Sequence, residues 1–252
     1  MDIPQKSLLP VNRFVVRYLL IICSIFGVLE ISYGLFRYTA PMNDLWSYMA
    51  YGAVVVALVC IGGFVGAWNT CPRTLPANLA FRRGVSLGLA LAAIWIANIL
   101  FTHLQLTNAE KLTTGSLIVA ITFLIVLVFI IGVSSYSAYQ TQQVSTGIRI
   151  GIWSGLVTGM LTVIIFLMML YTKMDFLVQL MNANEIRAFL QSGVRDRTAW
   201  FFWEELAGSC GYLVMDVVLG TVLGLVGGLV GKGLAPLWKS PDAQLERPST
   251  HG

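Results

Sequence analysis

Residues 220–238 read GTVLGLVGGLVGKGLAPLW, from Gly220 to Trp238. The glycine-rich centre, GLVGGLVGKG, has the outline of a loop that cradles a nucleotide phosphate, and the fold turns on whether it is one. Such a loop requires G-x-x-x-x-G-K-[ST] after a strand, because backbone amides at the strand-to-helix turn hold the phosphates and the hydroxyl holds magnesium. Counting back from Gly231 and Lys232, the first glycine position is Val226 and the hydroxyl position is Gly233. No soluble strand precedes it either. The stretch instead ends a long apolar run, Leu206 to Gly231, in which glycines let helix backbones approach closely within lipid.

The rest of the chain has the same character. Of 252 residues, 57% are hydrophobic and 11% charged, and the mean hydropathy is +0.77. That leaves too little polar surface for a soluble globule. A bilayer core needs roughly 20 apolar helical residues to cross it, and six stretches meet or approach that length: Phe14–Phe36, Leu45–Trp68, Val85–Phe101, Leu117–Tyr139, Ile150–Tyr171 and Leu206–Gly231. They are continuously apolar, whereas barrel strands alternate over about ten residues. The expected fold is an all-α integral membrane bundle of six helices, residues 14–238, between polar tails 1–13 and 239–252. The first stretch carries Arg17 and Glu30 and lacks a small-x-small cleavage pattern, so it reads as a retained span rather than a signal peptide.

Lysine and arginine resist translocation, so their distribution over the loops orients the bundle. Lys6, Arg13, Arg17, Arg73, Arg82, Arg83, Arg149, Lys232, Lys239 and Arg247 fall on one side, ten against six on the other. Both termini are therefore expected in the cytoplasm, and the compact, short-looped chain is expected in a bacterial inner membrane. The net charge of +4 is mostly this topological bias and calls for no more than a nonspecific attraction to anionic lipid heads, so no nucleic-acid partner is expected. Cys23, Cys60 and Cys210 fall within spans and Cys71 in a cytoplasmic loop, which places no pair where oxidation would couple it.

The loops add modest detail. NTCPRTLPANLAFRRG reads as a proline-broken, then basic, surface connection, and Trp46, Tyr48, Tyr51 and Trp68 as interfacial aromatics of the second span. Between spans five and six, Asn182 and Glu185 fit a capping box and Ser192–Gly193 a helix stop. Apolar residues recur there at helical spacing, so an amphipathic segment on the outer face is expected. Trp200 to Trp203 would then mark the outer interface, with Glu204 and Glu205 at headgroup level. A three-plus-three inverted repeat rests only on small residues and tyrosines shared by FGVLEISYGLFRY and IGVSSYSAYQ.

At about 100° per residue, Ser209, Tyr212, Asp216, Gly220, Gly224, Gly227 and Gly231 share about a third of the last helix. Gly151, Gly155 and Gly159 form a second ladder beside Ser154, Thr158 and Thr162, and Gly62 and Gly66 a shorter one. The last two spans are expected to pack through these faces, on each other or on a second copy. Asp216 lies ten residues into its stretch, roughly 15 Å deep and near the midplane. An isolated carboxylate there is penalised by about 2.5–3.5 kcal/mol, so it should face protein. Glu30 shares a face with Cys23, Gly27 and Gly34, at a depth offset from Asp216 by about 9 Å. The two acids, with Tyr212, form the candidate ion, proton or structural polar site; Tyr33 and Asn98 are further hydrogen-bond candidates.

No catalytic or metal-ligating constellation is found. Histidine occurs only at His103 and His251, and neither C-x-x-C nor H-E-x-x-H is present. No histidine or intramembrane lysine stands by to activate Ser154 or Ser209. No cofactor is expected, and an enzyme acting on lipid through the Glu204 and Glu205 pair is the weakest reading. Two function classes remain: a small transporter or permease-like subunit using Asp216, and a scaffold or accessory subunit whose glycine faces and outer helix contact a partner membrane subunit or another copy. Fold analogy does not choose between them.

Overall fold

The structure, a computed structural model, describes residues 13–38, 75–104 and 114–234, together with Gly52, Val56, Val59, Cys60 and Gly63. Among these every regular element is a helix: α1 Arg13–Arg37, α2 Leu75–Leu104, α3 Ser116–Thr141, α4 Val144–Gln179, α5 Ala183–Ser192 and α6 Arg197–Leu234. Four of them, α2, α3, α4 and α6, are long and apolar enough to cross a membrane, and α1 carries a shorter apolar run, Tyr18–Gly34. The chain is a multi-pass helical membrane protein. The expected second span, with Trp46, Tyr48, Tyr51, Gly62, Gly66 and Trp68, lies outside the described residues apart from the five named, whose backbone is helical. The terminal tails and Cys71 lie outside them too.

Helix α4 is the central post. Its most apolar stretch is 78% buried, against 17% in α3 and 28% in α6, because neighbours cover both its sides. Gly147, Gly151 and Gly155 admit α6 on one side. A methyl group on Gly147 would lie 2.6 Å from the Gly224 carbonyl oxygen, and one on Gly228 would lie 2.7 Å from that of Val144. Both are far inside the 3.5–4.0 Å at which carbon contacts are most favourable. Gly84 and Gly88 play the same part for α2, where a methyl group would meet Trp153 Cβ at 2.6 Å and the Ser154 carbonyl at 2.8 Å. Helix α3 uses its carboxy-terminal half, with Ile131, Ser134 and Ser135 against Gly227 and Gly231 of α6. Its other half leaves Leu117, Ile121, Leu124 and Val128 exposed, as a lipid-facing surface should.

Four helix ends lie six or more residues beyond the apolar stretches read from the sequence, one of them the start of α4 at Val144 rather than Ile150. Helix α2 begins at Leu75 rather than Val85; LPANLAFRRG is helical because proline is tolerated in a first turn, where its missing N–H has no partner to lose. Arg83 is accommodated by donating to the Ser137 hydroxyl at 2.7 Å and lying 5.0 Å from the Tyr136 ring centre. Helix α4 runs eight residues past Tyr171 to Gln179, bending at Lys173. Helix α6 begins nine residues before Leu206, where the Asp196 carboxylate accepts from the Thr198 and Ala199 amides at 2.8 and 3.2 Å. Between them, the Asn182 side chain accepts from the Asn184 and Glu185 amides while Glu185 accepts from the Asn182 amide, and Gly193 ends α5 at φ 70°. That left-handed conformation suits glycine.

The early start of α6 changes the place of its aromatic run. Trp200, Phe201, Phe202 and Trp203 are all buried, clustered with Met174, Leu177 and Met181. Trp200 and Trp203, expected to mark the outer interface, thus have their rings packed within the chain. Phe189 of α5 lies 5.8 Å from Trp200, ring centre to ring centre, and Tyr171 of α4 lies 5.9 Å from Phe202. Phe202 stacks on Tyr38 at 4.7 Å, and the Trp203 indole donates to the Tyr38 carbonyl at 3.2 Å. Glu204 is exposed and Glu205 half-buried.

Candidate functional site: the intramembrane carboxylates

Asp216 stands 19 residues after Arg197 and 18 before Leu234, at the middle of α6. Its backbone carbonyl abuts Gly155, and its Cβ is 3.4 Å from where a methyl group on Gly159 would sit. The two missing side chains make room for the acid at the α4 contact. The residue is half-buried, and among the described residues no hydrogen bond or ion pair to its carboxylate exists. Tyr212 does not supply one. It is 52% exposed, one turn from Asp216 but turned away from α4, so its place on the stripe facing protein is corrected. Ser209, Gly220, Gly224, Gly227 and Gly231 are buried. The stripe divides, Gly220 and Gly224 meeting α4 while Gly227 and Gly231 meet α3.

Glu30 sits on α1 against the other end of α4 and is 8% exposed. The Tyr171 hydroxyl donates to its backbone carbonyl, not to the carboxylate, whose Oε2 is buried without a hydrogen-bond partner. Asn98 is occupied elsewhere, accepting from Thr102 at 3.1 Å. Tyr33 stands over Tyr171 edge to face, with ring centres 5.4 Å apart. Its hydroxyl accepts from Arg37 Nη1 at 2.6 Å, which raises the guanidinium further above its ordinary range. Phe26, Leu29, Glu30, Tyr33, Met168, Tyr171 and Thr172 together line an open groove of about 330 Å³.

The two acids are not brought together. Asp216 lies level with Gly155 and Gly159, and Glu30 lies beside Met168 and Tyr171. At 1.5 Å per residue that is about 18 Å along α4, twice the expected offset, and at about 100° per residue the two contact faces are roughly opposite. The sequence reading placed each acid by its depth and by the face of its own helix, and neither carries information on which side of a third helix it lies. Gly147, Gly228, Gly84 and Gly88 were missed as packing residues, although Gly84 and Gly88 repeat the small-xxx-small spacing and Gly147 extends the Gly151 ladder by one turn. Tyr171 was missed as well, and no local signal marks it. No group of three or more potential metal ligands occurs among the described residues. Comparisons with protein-family models, with curated proteins and with solved structures find no match.

Proposed function

We propose that the chain is a small transporter or permease-like membrane protein in which Asp216 binds or relays a cation or proton near the bilayer midplane. One observation carries the reading: a carboxylate at the middle of a membrane-spanning helix, beside two glycines and with no partner among the described residues. A group so penalised by the bilayer is retained where an ion or proton uses it. In this reading the bundle has six spans, with residues 45–68 as the second, both termini in the cytoplasm, and α5 as an amphipathic element on the outer face. Carboxyl infrared difference spectroscopy on the purified protein tests it, with Asp216→Asn as the assignment control. A carboxyl signal that vanishes in the variant, and that shifts in the wild type on adding protons or a particular cation, supports the proposal and names the substrate class. A signal indifferent to both makes Asp216 a structural group.

A scaffold or accessory subunit is the second reading. In its favour, Leu190 is 72% exposed and Ile186 37% exposed on α5, a surface suited to a partner. Against it, Gly147, Gly151, Gly155, Gly220, Gly224, Gly227, Gly228 and Gly231 are all occupied by backbones of this same chain, which leaves those ladders no face for another.

A further inference from the structure

The groove at Glu30 is independent of Asp216, and its chemistry is narrower. Glu30 is more than nine-tenths buried, and its Oε2 lacks a partner. The other polar groups of the lining are already engaged: the Tyr171 hydroxyl with the Glu30 carbonyl, the Thr172 hydroxyl with the Met168 and Met169 carbonyls at 2.8 and 3.2 Å, and the Tyr33 hydroxyl with Arg37. What remains is one carboxylate among the rings of Phe26, Tyr33 and Tyr171 and the side chains of Leu29 and Met168.

We infer that this groove binds a lipophilic organic cation carrying a single positive charge. A hard metal ion requires about six oxygen ligands, and among the described residues the groove offers one carboxylate. A weakly hydrated organic cation requires one counter-charge, aromatic rings for cation–π contact and apolar surface for its body, and the groove's lining includes Glu30, the exposed rings of Phe26 and Tyr33, and Leu29 and Met168. Arg37 holds the aqueous side of Tyr33, with its guanidinium carbon 5.8 Å from the ring centre, and repels cations arriving from water. Entry is therefore lateral, from the bilayer, where such cations partition. The neighbouring groove along Ile21, Ile25 and Val28 has only the Ser24 hydroxyl as a side-chain polar group apart from Cys60, and that hydroxyl already bonds the Leu20 and Val59 carbonyls at 2.9 and 3.1 Å. Among the described residues it has no charge to offer a cation.

Tetraphenylphosphonium binding to the full chain in lipid nanodiscs, measured by equilibrium dialysis, tests the inference. Saturable binding is expected, weakened at least about thirtyfold in Glu30→Gln, since an apolar site loses its only counter-charge. In Tyr33→Leu, which keeps the carboxylate and removes one ring, it should weaken about fivefold. Glu204→Gln, which removes an exposed acid elsewhere, should bind like the wild type. The inference is overturned if no saturable binding is seen, if Glu30→Gln or Tyr33→Leu binds as the wild type does, or if neutral triphenylphosphine oxide competes as well as the cation. None of these outcomes bears on Asp216, whose spectroscopic response is measured separately.

Discussion

Glu30 and Asp216 carry the same functional group, and what separates them is the side chain missing or present across the helix contact. Asp216 faces Gly155 and Gly159, so its surroundings are backbone and space. Glu30 faces Tyr171 and Met168, so its surroundings are rings and methyl groups. Replacing either carboxylate by its amide removes charge with little change of volume, so Asp216→Asn and Glu30→Gln should each assemble normally, read as an unchanged elution profile and unfolding midpoint. Arg83 differs in kind. Its guanidinium is held by Ser137 and Tyr136, and Arg83→Ala should destabilise the protein by about 1.5–3 kcal/mol, the worth of a hydrogen bond from a charged group, measured by denaturant titration in micelles. The acids were legible in the sequence, because a charge within an apolar run stands out. Their surroundings were not, because Tyr171, which bonds the Glu30 backbone carbonyl, is 141 residues away in the chain and no local pattern connects them.

At the scale of elements, glycine spacing was readable and aromatic placement was not. The ladder Gly151-x3-Gly155-x3-Gly159 has a period that only close packing requires, and Gly151 and Gly155 do meet the α6 backbone. Gly151→Leu should therefore force α4 and α6 apart, costing about 3 kcal/mol or more, beyond the usual range for an overpacked methylene. Gly208→Leu, where no described atom lies within 4 Å of an added methyl group, should be tolerated. Thermal unfolding of the two variants side by side checks both. The run from Trp200 to Trp203 misled because aromatic rings suit an interface and a core equally well, and the deciding fact is the Asp196 cap that starts α6 early. The α5 box was legible because capping is local chemistry. Asn182→Ala should cost about 1 kcal/mol and appear as faster amide exchange confined to Ala183–Ser192.

For the whole molecule, apolar length gave the class and four of the spanning helices directly, whereas the arrangement around α4 came only from the structure. A membrane gives every spanning helix the same apolar composition, so composition cannot say which is central; the number of glycine contacts on each side of α4 does. The proposed orientation rests on the ten-to-six bias of basic residues, and on it reporters fused to residues 1–12 and 239–252 should both report from the cytoplasm. Central to the proposed function is movement of a cation or proton past Asp216. The most direct test is flux into liposomes bearing the purified full chain, comparing wild type, Asp216→Asn and Gly224→Leu. Transport is expected in the wild type and absent in Asp216→Asn although that protein remains folded and inserted, while Gly224→Leu fails by losing assembly. Equal flux with wild type and Asp216→Asn, or none above empty liposomes with the folded wild type, would contradict the transport reading and leave the bundle a scaffold.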